Sequence, residues 1–298
     1  MPLIKYQQKK FDPATLKVIS QANQILEDYT AQGYDLTLRQ LYYQFVSRGI
    51  IPNNDKQYKR LGSIINDARL AGLVDWSHIT DRTRNLRSHA HWTSPQSIID
   101  ACAKQYMIDK WDRQENYVEV WVEKDALVGV LEVACGALDV PYFSCRGYTS
   151  QSEMWAAAMR LIHRSTQGHE VHIIHLGDHD PSGIDMSRDI EDRLNMFKVQ
   201  GLTVNRIALN MDQIEQYNPP PNPAKLSDSR ATSYVERFGD ESWELDALEP
   251  SVITELINDA VFELRDPDKW EEDLETEEKQ KAQLVACSKN WEKVIGSL

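Results

Sequence analysis

The stretch HLGDHDPSGIDMSRDI, His175 to Ile190, sets Asp178, Asp180 and Asp185 around a Pro and a Gly, directly after the apolar run VHIIHL. Carboxylates crowded this closely repel one another unless a proton or a cation offsets the charge. A further acid, Glu123, follows a second apolar run, YVEVWV, in the segment VEKDAL. In extended chain Asp178 and Asp180 turn to one side and His179 to the other. Oxygen donors with no Cys nearby suit Mg²⁺, or Mn²⁺, better than zinc. Glu123, Asp178 and Asp180 are therefore the candidate ligands of a divalent cation. The competing reading of the Asp residues is a polar turn capping a helix at Ser182 to Ile184, where acids favour the positive end of the helix dipole.

These acids need a scaffold, and the pattern around them supplies one. YVEVWV (Tyr117 to Val122), PYFSCRG, VHIIHL and TVNRIAL (Thr203 to Leu209) read as strands. Between them lie helical patterns at Ala126 to Leu138, at Met154 to Arg164 behind the capping box Ser150 to Glu153, and at Ser187 to Met196. Such alternation predicts an α/β fold with a mostly parallel sheet flanked by helices. All strands then end on one edge, where ligands bind, and Glu123 and Asp178 each follow a strand end there. NPPPNP, Asn218 to Pro223, reads as a loop. His172, His175 and His179 along the third strand read as packing residues or as supports for ligands, and the scattered Trp residues as core.

Upstream, helical spacing predicts helices at Asp12 to Glu27, Thr37 to Ser47 and Lys56 to Ala71. LVDWSHIT, Leu73 to Thr80, then alternates like a wing strand. Three helices and a wing resemble a CAP-like winged helix-turn-helix, with Arg48, Lys59, Arg60, Arg69, Arg82, Arg84 and Arg87 as the candidate DNA-binding residues. Charge agrees with this partition. Through His91 there are 13 Lys and Arg against 8 Asp and Glu, leaving 20 against 38 for the rest of a chain whose net charge is -13. The expected organisation is a winged-helix domain over 1–91, a connector over 92–116, and an α/β domain with a C-terminal extension over 117–298. Cys102, Cys135, Cys145 and Cys287 show no CxxC spacing and read as free thiols. No apolar run is long enough to cross a bilayer, and MPLIKYQQKK has no signal-peptide character, so a cytoplasmic, nucleoid-associated protein is expected.

VEKDA followed by GDHDPSG resembles the Toprim signature, a Glu after one strand and Asp-x-Asp-x-x-Gly after a later one, in the version found in the A subunit of topoisomerase VI and in the meiotic double-strand-break transesterase. That resemblance covers about Val118 to Leu209. WELDALEP, Trp243 to Pro250, is similar to a short segment late in the same family's Toprim domain. The family carries a DNA-cleaving tyrosine in an Arg-Asp/Glu-x-Tyr-Tyr motif on a winged-helix domain upstream. LRQLYYQFVSRG matches it, which implies that Tyr43 is the nucleophile, with Tyr42 beside it, and that Arg39 is the motif arginine. Gln40 stands where the family has an acid. The resemblance implies an enzyme like the A subunit of the ATP-hydrolysing type IIB DNA topoisomerases. It would cleave double-stranded DNA with Mg²⁺ through a 5′-phosphotyrosyl intermediate and work as a homodimer, each tyrosine acting with the partner's metal. An ATPase would be a separate subunit.

Two other readings keep part of this. A hydrolytic Toprim nuclease would keep the metal and use bound water in place of the tyrosine. A DNA-binding module would keep the basic domain over a vestigial metal site. A metallophosphoesterase is disfavoured, because the Asp-x-His it needs is missing before the third strand.

Overall fold

The computed structural model describes residues 3–79, 89–225, 228 and 230–296. Each of the first three helices opens on a side-chain cap, which satisfies amide groups that the helix leaves unpaired. Asp12 accepts from the Thr15 amide at 2.8 Å to start α1 (Pro13–Ala31). Thr37 and Gln40 form a reciprocal capping box at α2 (Leu38–Ser47). Asn54 takes the Gln57 amide at 3.1 Å at α3 (Asp55–Leu70). Ile19, Ala22 and Ile25 of α1, Leu41 and Phe45 of α2, and Leu61 and Ile65 of α3 are buried together. Gln40 thus has a local role in starting the helix that carries Tyr43.

The expected wing strand is not formed by the described residues. Asp75 accepts from the Ser77 amide at 2.8 Å and from its hydroxyl at 2.7 Å, which turns the chain in place of extending it. Only Ile79 bridges, to Leu36. The three helices stand, but a winged fold does not follow from them.

The connector carries α4 (Pro95–Gln105), followed by β1 (Asn116–Val122), a 3₁₀ turn at Asp125–Leu127, α5 (Val128–Leu138), β2 (Tyr142–Ser144), α6 (Gln151–Thr166), β3 (Glu170–Leu176), α7 (Pro181–Met196) and β4 (Leu202–Ala208). The four strands form one parallel sheet in the order β2-β1-β3-β4. From Tyr117 on, β1 is buried on both faces, as a central parallel strand must be when helices cover both sides. α5 packs on β1 and β2, and α6 packs on β3 and α7. Strand order reverses between β1 and β3, and Val122 lies opposite Leu176 in that pair. The carboxyl ends of β1 and β3 therefore make the switch-point crevice where ligands bind in such sheets.

Beyond the sheet come α8 (Met211–Tyr217), the short pair β5 (Asn222–Pro223) and β6 (Glu241–Ser242) with α9 (Ala231–Phe238) between them, and a 3₁₀ turn at Leu245–Ala247. Then come α10 (Pro250–Phe262), α11 (Pro267–Lys289) and α12 (Trp291–Ile295). α10 packs on α5, and α11 packs along the connector helix α4. Lys110 reaches Glu277 at 2.6 Å and Arg113 reaches Asp273 at 2.8 Å, tying connector and extension together. Among the described residues no helix is long and apolar enough to cross a membrane.

Candidate active site

The backbone brings Glu123 to the end of β3, its amide donating to the Leu176 carbonyl at 2.9 Å. In return Glu123 Oε2 accepts the Asp178 amide at 2.9 Å. The fit leaves no room for side chains. A Cβ on Gly183 would lie 2.2 Å from the Asp178 carbonyl oxygen and 3.0 Å from Glu123 Oε2, so the PSG step after Asp180 requires glycine. Arg206 of β4 fastens this turn from beneath, donating to the carbonyls of Gly177 at 2.9 Å, Asp178 at 2.7 Å and Gly183 at 2.9 Å. Burial lowers its guanidinium to about 10 against the pull of Glu123, Asp178 and Asp180.

The three Asp residues of the crowded stretch go three ways. Asp178 accepts the Leu245 amide at 2.8 Å on Oδ1 and pairs with Lys124 Nζ at 2.8 Å on Oδ2. Asp180 caps α7, taking the Gly183 amide at 2.6 Å and the Ser182 hydroxyl at 2.8 Å on Oδ1, with Oδ2 4.0 Å from Lys225. Asp185 pairs with Arg188 at 2.8 Å and Arg230 at 3.1 Å and accepts from the Tyr148 hydroxyl at 2.8 Å. The capping reading of Asp180 thus holds, through Oδ1, and leaves Oδ2 facing Lys225. Burial, then the neighbouring Asp178, pushes Glu123 up to about 7, and burial likewise raises Asp178.

Lys124 links this pair to the tyrosine helix. Its ammonium lies 2.7 Å from Glu244 Oε2 and 3.2 Å from Asp246 Oδ1, besides Asp178. Arg39 reaches the same two acids from α2, at 2.7 Å to Glu244 Oε2 and 3.4 Å to Asp246 Oδ2. Its terminal nitrogen is 3.4 Å from the Tyr43 hydroxyl. Tyr43 is 4% exposed, and burial, with Asp246 and Glu244 nearby, raises its phenol well above the ordinary range. Tyr42 lines the same cleft, but its hydroxyl is engaged at the start of α3, donating to Asn53 Oδ1 at 3.0 Å and accepting the Asn54 amide at 2.7 Å. A cleft of about 290 Å³ is lined by Arg39, Tyr43, Asp180, Lys225 and Glu244 among others.

The remaining candidates separate by position. Arg48, Lys59 and Arg60 are exposed. Arg69 is turned inward, donating to the carbonyls of Trp76 at 2.7 Å and Ile79 at 3.3 Å and stacking on the Trp76 ring. Arg82, Arg84 and Arg87 lie outside the described residues. His175 bonds Ser187 at 2.8 Å, His179 bonds the Tyr234 hydroxyl at 2.7 Å, and His172 bonds Asn116 at 3.0 Å, so all three serve packing and support.

Sequence reasoning missed Lys124, Arg206, Glu244 and Asp246 as site residues. Lys124 comes directly after Glu123 in VEKDAL, and the two acids sit in WELDALEP; only the fold joins segments 120 residues apart. As a cation site the cluster fits in donor chemistry, since it offers hard oxygens, two of them on carboxylates that burial has raised. Among the described residues, however, no group of three or more His, Cys, Asp or Glu side chains is arranged to hold a metal ion. Compared with protein-family models and with curated proteins, the sequence finds no match.

Proposed function

We propose that the chain is a metal-dependent DNA transesterase resembling the A subunit of topoisomerase VI, with Tyr43 as nucleophile. The observation that carries this reading is a cleft lined by Tyr43, Tyr42 and Asp180, with Arg39 beside the Tyr43 hydroxyl. Glu123, Asp178 and Asp180 are the residues that would hold Mg²⁺ or Mn²⁺. Such a cation, when bound, neutralises charge on the scissile phosphate. Arg39 donates to a phosphate oxygen and lowers the cost of ionising the phenol beside it. In the step itself the Tyr43 oxygen bonds to phosphorus, the bond to the 3′ oxygen breaks, the tyrosine proton leaves and the 3′ oxygen gains one. Arg48, Lys59 and Arg60 on the exposed side supply phosphate contacts. One tyrosine cuts one strand, so a double-strand break calls for a homodimer. In this chain Tyr43 lies beside its own protomer's acids, so a dimer that pairs each tyrosine with the partner's cation requires α2 to leave the Leu245–Ala247 turn. A separate ATPase remains the partner that strand passage would require.

The test is incubation with supercoiled plasmid and Mg²⁺ followed by detergent. The reading expects protein covalently joined to 5′ ends, and none with Tyr43→Phe. An adduct that survives this substitution reassigns the nucleophile, with Tyr42 the next to examine. One observation favours the hydrolytic alternative: Tyr43 is nearly inaccessible in this state, its hydroxyl next to Arg39. Under that reading Tyr43 positions Arg39, and the same assay yields nicks without adducts.

A further inference from the structure

One oxygen in the cleft has an unusual pair of partners. Glu244 Oε2 accepts from Arg39 at 2.7 Å and from Lys124 at 2.7 Å, and these donors come from the tyrosine helix and from the residue after Glu123. Two cations converging on a single anionic oxygen, within reach of a phenol, is the arrangement that binds a phosphate oxygen. Glu244 is partly exposed, with 24% of its side chain open, and it lines the cleft. Asp246, by contrast, is sealed at the back of the group, its side chain wholly buried, and it touches both cations at 3.2 and 3.4 Å. Asp178 holds Lys124 from a third side. If Glu244 swung outward, Lys124 and Arg39 would keep these inner acids as anchors while offering their outer faces to the cleft.

We propose that Arg39 and Lys124 form a phosphate-oxygen subsite and that Glu244 is its resident occupant, a carboxylate that must be displaced when nucleic acid enters. This rests on the reading that a phosphodiester binds in the Tyr43 cleft, and it adds Lys124 as a phosphate contact and Glu244 as an internal competitor. A carboxylate held in place of a phosphate opposes binding, because like charges brought together repel until one gives way. Removing that charge therefore strengthens binding, whereas the loss of a contact residue weakens it.

The experiment measures binding of a fluorescent DNA duplex by anisotropy, in chelator so that no cleavage intervenes, for the wild-type chain, Glu244→Gln and Glu244→Gln/Arg39→Gln. Glu244→Gln is expected to tighten binding about tenfold. Adding Arg39→Gln should abolish that gain, with circular dichroism reporting that both variants remain folded. Unchanged or weaker binding by folded Glu244→Gln overturns the proposal, as does a gain that persists without Arg39. Should Glu244→Gln unfold, the same comparison is made with Glu244→Ala and Glu244→Ser, and the absence of a gain in whichever folds is equally decisive. Tighter binding without any covalent adduct in the plasmid assay would sink the transesterase reading alone, whereas an adduct without tighter binding would sink the subsite alone.

Discussion

Glu119 and Glu123 stand four residues apart along the same central strand and its exit, yet the fold treats them in opposite ways. Glu119 is 1% exposed and fully compensated: it accepts the Tyr117 hydroxyl at 3.1 Å, the Trp121 indole at 2.9 Å and a bidentate Arg160 at 2.7 and 2.9 Å. Glu123 has one backbone amide as donor, with Lys124 attracting and Asp178 repelling its charge, and burial keeps its acid form to about 7. A buried carboxylate that the protein supplies with donors braces the fold. One left short of them, at a sheet's switch point, is held at a cost to stability.

The largest effect that would break this contrast is on the braced side. Arg160→Ala leaves the Glu119 charge with only the Tyr117 and Trp121 donors and should lower stability by about 1.5–3 kcal/mol in chemical denaturation, the range for a hydrogen-bonded charge, since Arg160 itself is 41% exposed. A loss below about 1 kcal/mol would mean that the pair does not carry Glu119. Glu123→Gln should do the reverse and raise the melting temperature by a few degrees in chelator. The pH profile sharpens the point. Glu123 titrates near its ordinary 4.5 when unfolded and at about 7 when folded, so between those values the folded chain holds a proton that the unfolded chain has released. Its contribution to stability therefore falls as pH rises through that window, and melting scans from pH 5 to 8 should show a decline that flattens in Glu123→Gln. An equally steep decline in the variant would assign it to other groups.

The same contrast recurs among the basic residues at smaller scale. Arg69→Ala leaves the carbonyls of Trp76 and Ile79 without their donor and should cost about 1 kcal/mol in denaturant. Arg60→Ala, on the open face of α3, should change stability by less than about 0.5 kcal/mol. It should instead weaken DNA binding and reduce the salt dependence of affinity by about 0.9 in log–log slope, the share of one phosphate contact. If Arg69→Ala and Arg60→Ala affected DNA alike with no loss of stability, the inward role of Arg69 would be mistaken.

What the sequence disclosed divides along the range of the interactions involved. Local signals read well: the helix start at Thr37, the cap at Ser150 and the strand segments arise from neighbours within a few residues, and their alternation with helices foretold the parallel sheet. α7 begins at Pro181, six residues before the helix read from periodicity, because Asp180 serves as its cap. That role was visible in the DP step but competed with the ligand reading. LVDWSHIT misled because its alternation hid the Asp75–Ser77 turn. Lys124, Arg206, Glu244 and Asp246 were illegible as a group, since no local pattern says that a strand exit, a neighbouring strand and a turn 120 residues away converge around Asp178. Of the two tyrosines, only the hydroxyl partners in the fold separate Tyr42, bound to the α3 cap, from Tyr43, set among the acids.

The proposed cation role turns on Glu123, which is short of donors at the end of β1, whereas Asp178 beyond β3 already holds Lys124 and the Leu245 amide. Calorimetric titration of Mn²⁺ into the wild-type chain, Glu123→Gln and Glu119→Gln tests it directly. Saturable binding to one site per chain, lost in Glu123→Gln and kept in folded Glu119→Gln, is the predicted result. No saturable binding to the wild-type chain, or binding that survives the loss of Glu123 unchanged, would contradict it.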